Sequence, residues 1–371
     1  MSEMRSRRIL TTLQEDGRLV VELAEENLPA PTGHDIVVRV EAAPINPSDL
    51  ALLFGPADLE NAEYFDGHII APMPEGARRA MAARVGQAMP VGNEGAGTVV
   101  AAGEAADAQA LLGKTIACVA GGMFAQYRTV DARSVIVLPD DATAEQGASA
   151  FVNPLTALGF VETMKRDGHN AIVHTAAASN LGQMLLRITK DDGIPLVNIV
   201  RSPAQVAMLK DMGAEHVVDS SSEGFAQDLK AALKATGATL AFDAIGGGPL
   251  VGRILHAMEQ VASDGQDYNR YGSNSRKQAY IYGALDTGPT ILNRNFGFSW
   301  SVGGWLLFPF LQSVDAHVVE RMRDRVRSEL TTTFASHYKA RISLEDALTR
   351  DAVLTYNARR TGQKYLLLPH G

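Results

Sequence analysis

The stretch from Ala171 to Ser202 constrains the fold more than any other part of the chain. A short apolar run, Ala171-Ile172-Val173, enters a turn of small residues, Thr175 to Asn180, and leaves it on Leu181, Met184, Leu185 and Ile188, which share one face at helical spacing. A second apolar run, Leu196 to Val200, follows within the ~30 residues that a strand, helix, strand crossover needs. The order predicts a parallel sheet whose first turn opens a dinucleotide-binding unit.

The turn does not spell G-x-G-x-x-G. Ala176, Ser179 and Gly182 take the three positions of a G-x-x-G-x-x-G pattern, and Asn180 and Leu181 complete the helix start. Gly182 would let the helix pack closely on the strand, while Ala176 and Ser179 are small enough for a pyrophosphate to approach the helix N–H groups. A bare crossover turn with no ligand would look similar. What distinguishes the two is the end of the second strand, where an acidic residue about 20 residues beyond the turn would select NAD through the ribose 2′-OH. Here Arg201 and Ser202 stand instead. A charged fork with a hydroxyl suits a 2′-phosphate, so NADPH is the expected cofactor, against the alternative of a solvated arginine after a strand.

With 371 residues, 46% hydrophobic and 20% charged, the chain has room for two globular domains. A net charge of −8 with no basic stripe argues against a nucleic-acid partner. Cys118 is the one cysteine, which excludes an intrachain disulfide and a cysteine-built zinc lobe. No signal peptide and no membrane span are expected, so the expected location is cytoplasmic.

Residues from about 7 to 140 read as short strands between turns, clearest in Ile36 to Val40 and Gly97 to Val100. Phe54 to Met89 interrupts them with Gly, Pro, Ala and a helical-looking run around Ala77 to Arg84, and reads as an inserted loop or lid, or as surface decoration. From about Ala144, five strands alternate with helices: Ala171 to Thr175, Leu196 to Val200, His216 to Asp219, Leu240 to Ile245 and Ala279 to Ala284. That alternation predicts a doubly wound parallel sheet. Ser263 to Lys277 reads as a polar surface loop, Val319 to Leu330 as an amphipathic helix, and Lys364 to Leu368 as a last strand returning to the first domain.

Four strings then resemble one family in order along the chain: Ala43 to Asp49 (APINPSD), Val91 to Gly97 (VGNEGAG), Val152 to Ala157 (VNPLTA) and Leu209 to Asp219 (LKDMGAEHVVD). Together they resemble the medium-chain dehydrogenase/reductases. The resemblance implies an α/β fold, with a GroES-like β-rich catalytic domain at 1–145 and 315–371 and a Rossmann doubly wound parallel-sheet domain at 146–314. In its zinc branch a histidine stands where this chain has Asn93, and no cysteine lies near Asn46, so no metal site is expected. The implied partner is a small-molecule substrate, a quinone or activated enone reduced by hydride. A 2-enoyl thioester is the alternative, and a non-catalytic NADPH-binding sensor is an alternative of another class. A homodimer is expected by the same resemblance.

The resemblance also distributes roles. Asn46 would hydrogen-bond near the nicotinamide or substrate, or serve only as a turn residue before proline. The tyrosine of the thioester reductases falls at about Ala57, leaving Tyr64 as the nearest phenol. Asn153 and Thr156 would reach the nicotinamide ribose. Gly246, and Tyr282 with Gly283, would sit at the carboxyl edge of the sheet, with plain turn or packing roles as the alternative, and Lys364 would close over the cofactor or lie on the surface. Trp300, Trp305, Phe308 and Phe310 could line an apolar slot, a core or an interface. His174 reads as structural, and Glu94 as the anchor of a turn.

Overall fold

Six parallel strands build the sheet that the crossover pattern predicts: Ile172–His174, Leu196–Val200, His216–Asp219, Leu240–Asp243, Lys277–Ile281 and Trp300–Gly304. Counted along the chain they lie in the order 3-2-1-4-5-6, the doubly wound arrangement that places ligands beyond the carboxyl ends of the strands. Ile172 registers with Leu196 on one side and Leu240 on the other. The first, second and fourth strands are buried throughout, which is why they read as continuous apolar runs and not as alternating ones. Phe225, Leu229, Ile254, Leu255 and Phe296 pack on Val173, Val197 and Ile199.

The computed structural model describes residues 4–371. They fall into two units, one running to Val152 and resuming at Arg323–Gly371, the other Asn153–Met322. The divisions come slightly later than 145/146 and 314/315 for local reasons. The amides of Phe151 and Val152 donate to Glu94, and Arg323 lies over the Phe151 ring, so both stretches belong with the first unit.

The sequence reading stops at five strands of the parallel sheet. The sixth, Trp300–Gly304, pairs with Lys277–Ile281 but ends in two glycines and carries a single β-branched residue, which hides it from pattern reading. Trp305 and Phe310 belong to the core of this unit: their rings stack and the Trp305 indole donates to Thr163 Oγ1 at 3.0 Å.

In the first unit the strands form two layers, one antiparallel throughout and one mixed. Asp35–Pro44 pairs with Glu94–Ala102, Tyr127–Asp131 and, antiparallel, with Tyr365–Leu367, so the C-terminal strand does return to this unit. The second layer has Met4–Leu13 and Arg18–Leu28 at its centre. Phe54 to Met89 is not a loose lid. Glu63–Phe65 and His68–Pro72 form a hairpin whose second strand pairs with Arg18–Leu28, and Leu59, Ile69, Ala71 and Met73 are buried in the core. Alternation of Ile69 and Ala71 with outward neighbours is the signal that the loop reading misses. The helical run divides into Glu75–Ala80 and a 3-10 turn, Ala82–Arg84.

The polar excursion after Ser263 is pinned from below. Lys277 is fully buried, and its ammonium meets Glu259 Oε2 at 2.5 Å, Ser275 O at 2.8 Å and Ser273 Oγ at 3.1 Å. Burial opposes ionisation of Glu259, but Lys277, the Ser273 amide and two hydroxyls hold its carboxyl down at about 2. A carboxyl depressed in the folded state stabilises above its ordinary value of 4.5, and that stabilisation is lost as pH falls toward 2. Replacing Lys277 with Met strands the carboxylate in the interior and should cost the second unit about 3–5 kcal/mol. Urea denaturation followed by circular dichroism reads it, and a loss below about 1 kcal/mol would show that the pair does not hold the excursion.

Candidate active site

At the carboxyl edge of the parallel sheet the chain turns between Thr175 and Asn180. Ala176 takes a left-handed backbone, φ 49°, a conformation that disfavours a β-carbon and is held here by the bonds around it. Ser179 N donates to Ala176 O at 2.9 Å and Ala177 N to Ile199 O at 3.1 Å. Ser179 then caps the helix Asn180–Asp191, its hydroxyl accepting from Gly182 N at 3.1 Å. At Gly182 a β-carbon would stand 2.1 Å from the Ala177 carbonyl oxygen. The helix therefore starts as close to the strand as backbone allows, and Leu181 is buried beneath it.

Neighbouring strand ends bring the other predicted residues of this unit to the same edge. Arg201 follows the second strand, exposed, with no ion pair to its guanidinium among the described residues; its amide donates to Gln205 Oε1. Ser202 caps the helix Pro203–Asp211, accepting from Gln205 N. At the end of the fourth strand, Asp243 is buried and accepts from Thr175 Oγ1 at 2.7 Å and from Gly246 N at 2.7 Å. Gly246 itself has φ 84°. Tyr282 and Gly283 follow the fifth strand, and the Tyr282 hydroxyl lies 2.8 Å from His174 Nε2. Burial pushes the His174 imidazole down to about 3, so it is neutral, and pushes the Tyr282 phenol well up. Asn153 and Thr156 lie on the first turn of the helix Val152–Arg166, Thr156 buried and Asn153 partly so.

The first unit carries a second constellation. Asn46 caps the helix Pro47–Leu53 and is 3% exposed. Its backbone amide donates to Asp49 Oδ2 at 2.7 Å and its side-chain Nδ2 to Glu94 Oε1 at 2.8 Å, while Oδ1 is buried with no protein partner. Asp49 Oδ1 accepts from Asn93 N at 2.8 Å, and Glu94 Oε2 from Val152 N at 2.7 Å and Phe151 N at 3.2 Å. Glu94 thus ties three chain segments, well beyond the anchoring of one turn. Lys364 donates from Nζ to Ser149 Oγ at 2.7 Å, and Ser149 meets the Tyr338 hydroxyl at 2.8 Å. Burial pushes Asp49 up to about 7 and Glu94 upward, and pushes the Lys364 ammonium down to about 8 against the pull of Glu94 and Asp49. Burial opposes charge on all three groups, and Asp49 and Lys364 are brought toward neutrality from opposite sides.

Tyr64 lies apart from this cluster by its bonding. Its hydroxyl donates to Leu59 O at 2.8 Å inside the hairpin insertion, and burial raises its phenol. Asp49, Ser149, Tyr338, Thr175 and Asp243 are the members that sequence reasoning misses. Asp49 was legible in part, as the acidic third residue after a cap; the others are joined by long-range contacts that carry no local signal.

Two family models match this chain, the alcohol dehydrogenase GroES-like domain over residues 32–140 and the zinc-binding dehydrogenase model over residues 180–263, together more than half of it. The chain belongs to the medium-chain dehydrogenase/reductase family. Its likenesses within this family fall on the quinone oxidoreductase and enoyl reductase branch. The mitochondrial enoyl-[acyl-carrier-protein] reductase of Mus musculus is 29% identical over 209 residues, 55% of this chain and 50% of that protein. The chain spans about half the length of curated relatives of this kind. Among solved structures, a candidate NADPH:quinone reductase from Mesorhizobium loti superposes over the whole of both chains with a TM-score of 0.76 at 25% identity. Another, from Bacillus thuringiensis, covers 98% of this chain and 99% of its own with a TM-score of 0.75 at 20% identity, a likeness of fold. Among the described residues no group of three or more His, Cys, Asp or Glu side chains is placed to hold a metal ion, and no helix is long and apolar enough to cross a membrane.

Gly182→Ala should break the close start of the helix, because the added carbon meets backbone and not a movable side chain. The expected loss is about 1–3 kcal/mol, read by thermal unfolding. An unchanged melting temperature would show that the helix can slide away from the strand.

Proposed function

We propose that this member of the family is an NADPH-dependent reductase that passes hydride to a quinone or activated enone without a metal. The observation that carries the reading is Arg201, an exposed guanidinium beside the Ser202 hydroxyl, at the end of the second strand of a 3-2-1-4-5-6 sheet. The residues fit a phosphorylated dinucleotide by their chemistry. Arg201 and Ser202 suit a 2′-phosphate, and the turn from Ala176 to Gly182, with Asn180 and Leu181 at the helix start, has no bulky side chain to keep a pyrophosphate away. Gly246, Tyr282 and Gly283 offer backbone at the same edge, and Asn153 and Thr156 reach for the ribose. NADPH, when bound, supplies the hydride.

The acceptor side rests on Asn46. A carbonyl oxygen that gains charge as hydride arrives is stabilised by a preorganised donor in a dry site; Asn46 is a buried amide whose Nδ2 is engaged by Glu94 and whose unpartnered end is Oδ1, so it serves as that donor when its carboxamide is turned. Reduction of a 2-enoyl thioester is the second reading, favoured by the likeness to the mouse enoyl reductase. Against it stands Tyr64, whose hydroxyl is already engaged with Leu59 O. Lys364, which the resemblance places over the cofactor, also bonds Ser149, and we assign it to the buried charge cluster as well.

We also propose a homodimer through the free edge of the parallel sheet. Trp300–Gly304 is an edge strand, and Leu306, Phe298 and Phe308 beside it are 63%, 78% and 47% exposed, an apolar edge that a second copy would cover. Leu306→Asp should then move the sedimentation mass from two copies to one; a wild-type monomer at micromolar concentration would end the idea.

Arg201→Ala should weaken NADPH binding about 10–100-fold and leave NADH within about twofold, measured by titration calorimetry. Transfer of deuterium from 4-deuterated NADPH to a panel of quinones, enones and enoyl thioesters tests the reaction itself. Label in a quinone or enone product supports the reading, and tight NADPH binding with no transfer to any acceptor would make the protein a sensor.

A further inference from the structure

Of the four carboxyl oxygens in the first unit's buried cluster, three accept from backbone N–H groups whose direction is fixed. Asp49 Oδ2 and Oδ1 face the amides of Asn46 and Asn93, and Glu94 Oε2 faces those of Phe151 and Val152. Glu94 Oε1 alone faces a side-chain amide, Asn46 Nδ2 at 2.8 Å. A backbone N–H can only donate. A carboxamide turned by half a revolution presents an acceptor where it presented a donor. Glu94 Oε1 is therefore the one oxygen of the four that can gain a proton and exchange one hydrogen bond for another without losing any.

We infer that the Asn46 carboxamide is a two-position switch set by the proton on Glu94, and that the end it turns away from Glu94 is the N–H donor only while that proton is present. With Glu94 ionised, Nδ2 points to Glu94 and Oδ1 is the free end, which repels a carbonyl oxygen. With Glu94 protonated, Oε1–H donates to Oδ1 and the free end becomes Nδ2, the donor that a quinone or enone oxygen needs. Glu94 is in this scheme a positioning residue. The switch rests on the reductase reading for its consequence, but not for its existence.

The groups facing Glu94 make the proton available. Burial raises its carboxyl; the Lys364 ammonium, the Asn46 amide and the backbone amides of Phe151 and Val152 pull the other way. Asp49 is a like charge on the neighbouring helix, and the Cys118 thiol and Tyr338 phenol are both held neutral by burial, with Glu94 raising them further. A raised carboxyl keeps its proton at low pH and gives it up as pH rises through the shifted value, so the donor is present on the acid side and withdrawn on the alkaline side.

Glu94→Gln keeps an acceptor for the two backbone amides and fixes a donor against Asn46, so Nδ2 should face outward at every pH. In NADPH-dependent reduction of a quinone, the wild type should lose about tenfold or more in kcat/KM as Glu94 ionises, and Glu94→Gln less than about twofold over the same range. The side-chain ¹⁵N resonances of Asn46, identified by their loss in Asn46→Asp, read the switch without any substrate. They should titrate in the wild type, stay at the acid-side position in Glu94→Gln, and titrate at higher pH in Lys364→Met, which removes the charge favouring ionisation. Asn46 resonances that do not titrate in the wild type, or that titrate alike in Glu94→Gln, overturn the inference. If Glu94→Gln does not fold, the wild-type and Lys364→Met titrations decide it. Titrating resonances with no turnover of any acceptor would leave the switch standing and remove the reductase reading.

Discussion

The contact on which the second unit depends is one with no side chain in it: the start of the helix Asn180–Asp191 lies so near the strand end that a β-carbon at Gly182 would be 2.1 Å from the Ala177 carbonyl oxygen. That approach forces Ala176 into the left-handed region and sets Ser179 as the cap. It also aligns the helix start with the ends of the neighbouring strands, where Arg201, Asp243 and Tyr282 follow in register. Asp243 then orients the next turn by accepting from both Thr175 and Gly246. An edge of small residues, fixed amides and one exposed guanidinium results, and it is the edge we propose receives the phosphates of the dinucleotide.

The first unit works by the opposite means, a concentration of buried charge. Asp49, Glu94 and Lys364 could not all remain ionised and dry at no cost, and the fixed backbone amides around the carboxyls compensate only part of it. The remainder is expressed as protonation near neutrality, with Asp49 raised to about 7 and Lys364 lowered to about 8. Such groups are found where a fold does chemistry more often than where it only packs. Asn46 connects them to whatever meets its unpartnered oxygen.

The two units were unequally legible in the sequence. The parallel sheet could be read because its central strands are short apolar runs separated by amphipathic helices, and Arg201 and Ser202 could be read because a strand end is fixed by its own neighbours. The edge strand Trp300–Gly304 could not, since it is stabilised by pairing with Lys277–Ile281 and not by its own pattern. The hairpin Glu63–Phe65 with His68–Pro72 was missed for a different reason, since its alternation of Ile69 and Ala71 is too short to stand out among Gly, Pro and Ala. In the charge cluster only Asn46 and the nearby Asp49 lie within one helical turn; Glu94, Ser149, Tyr338 and Lys364 come from segments far apart in the chain, and local reasoning has no term for that.

Central to the account is that a phosphorylated dinucleotide rests on the small-residue corner. Amide hydrogen exchange with and without saturating NADPH tests this directly, because a ligand hydrogen-bonded to a helix start slows exchange there and little elsewhere. Slowed exchange in peptides spanning Ala176 to Gly182 and Arg201 to Ser202 is the predicted result. Unchanged exchange at that corner, with protection appearing only in other parts of the chain, would contradict it.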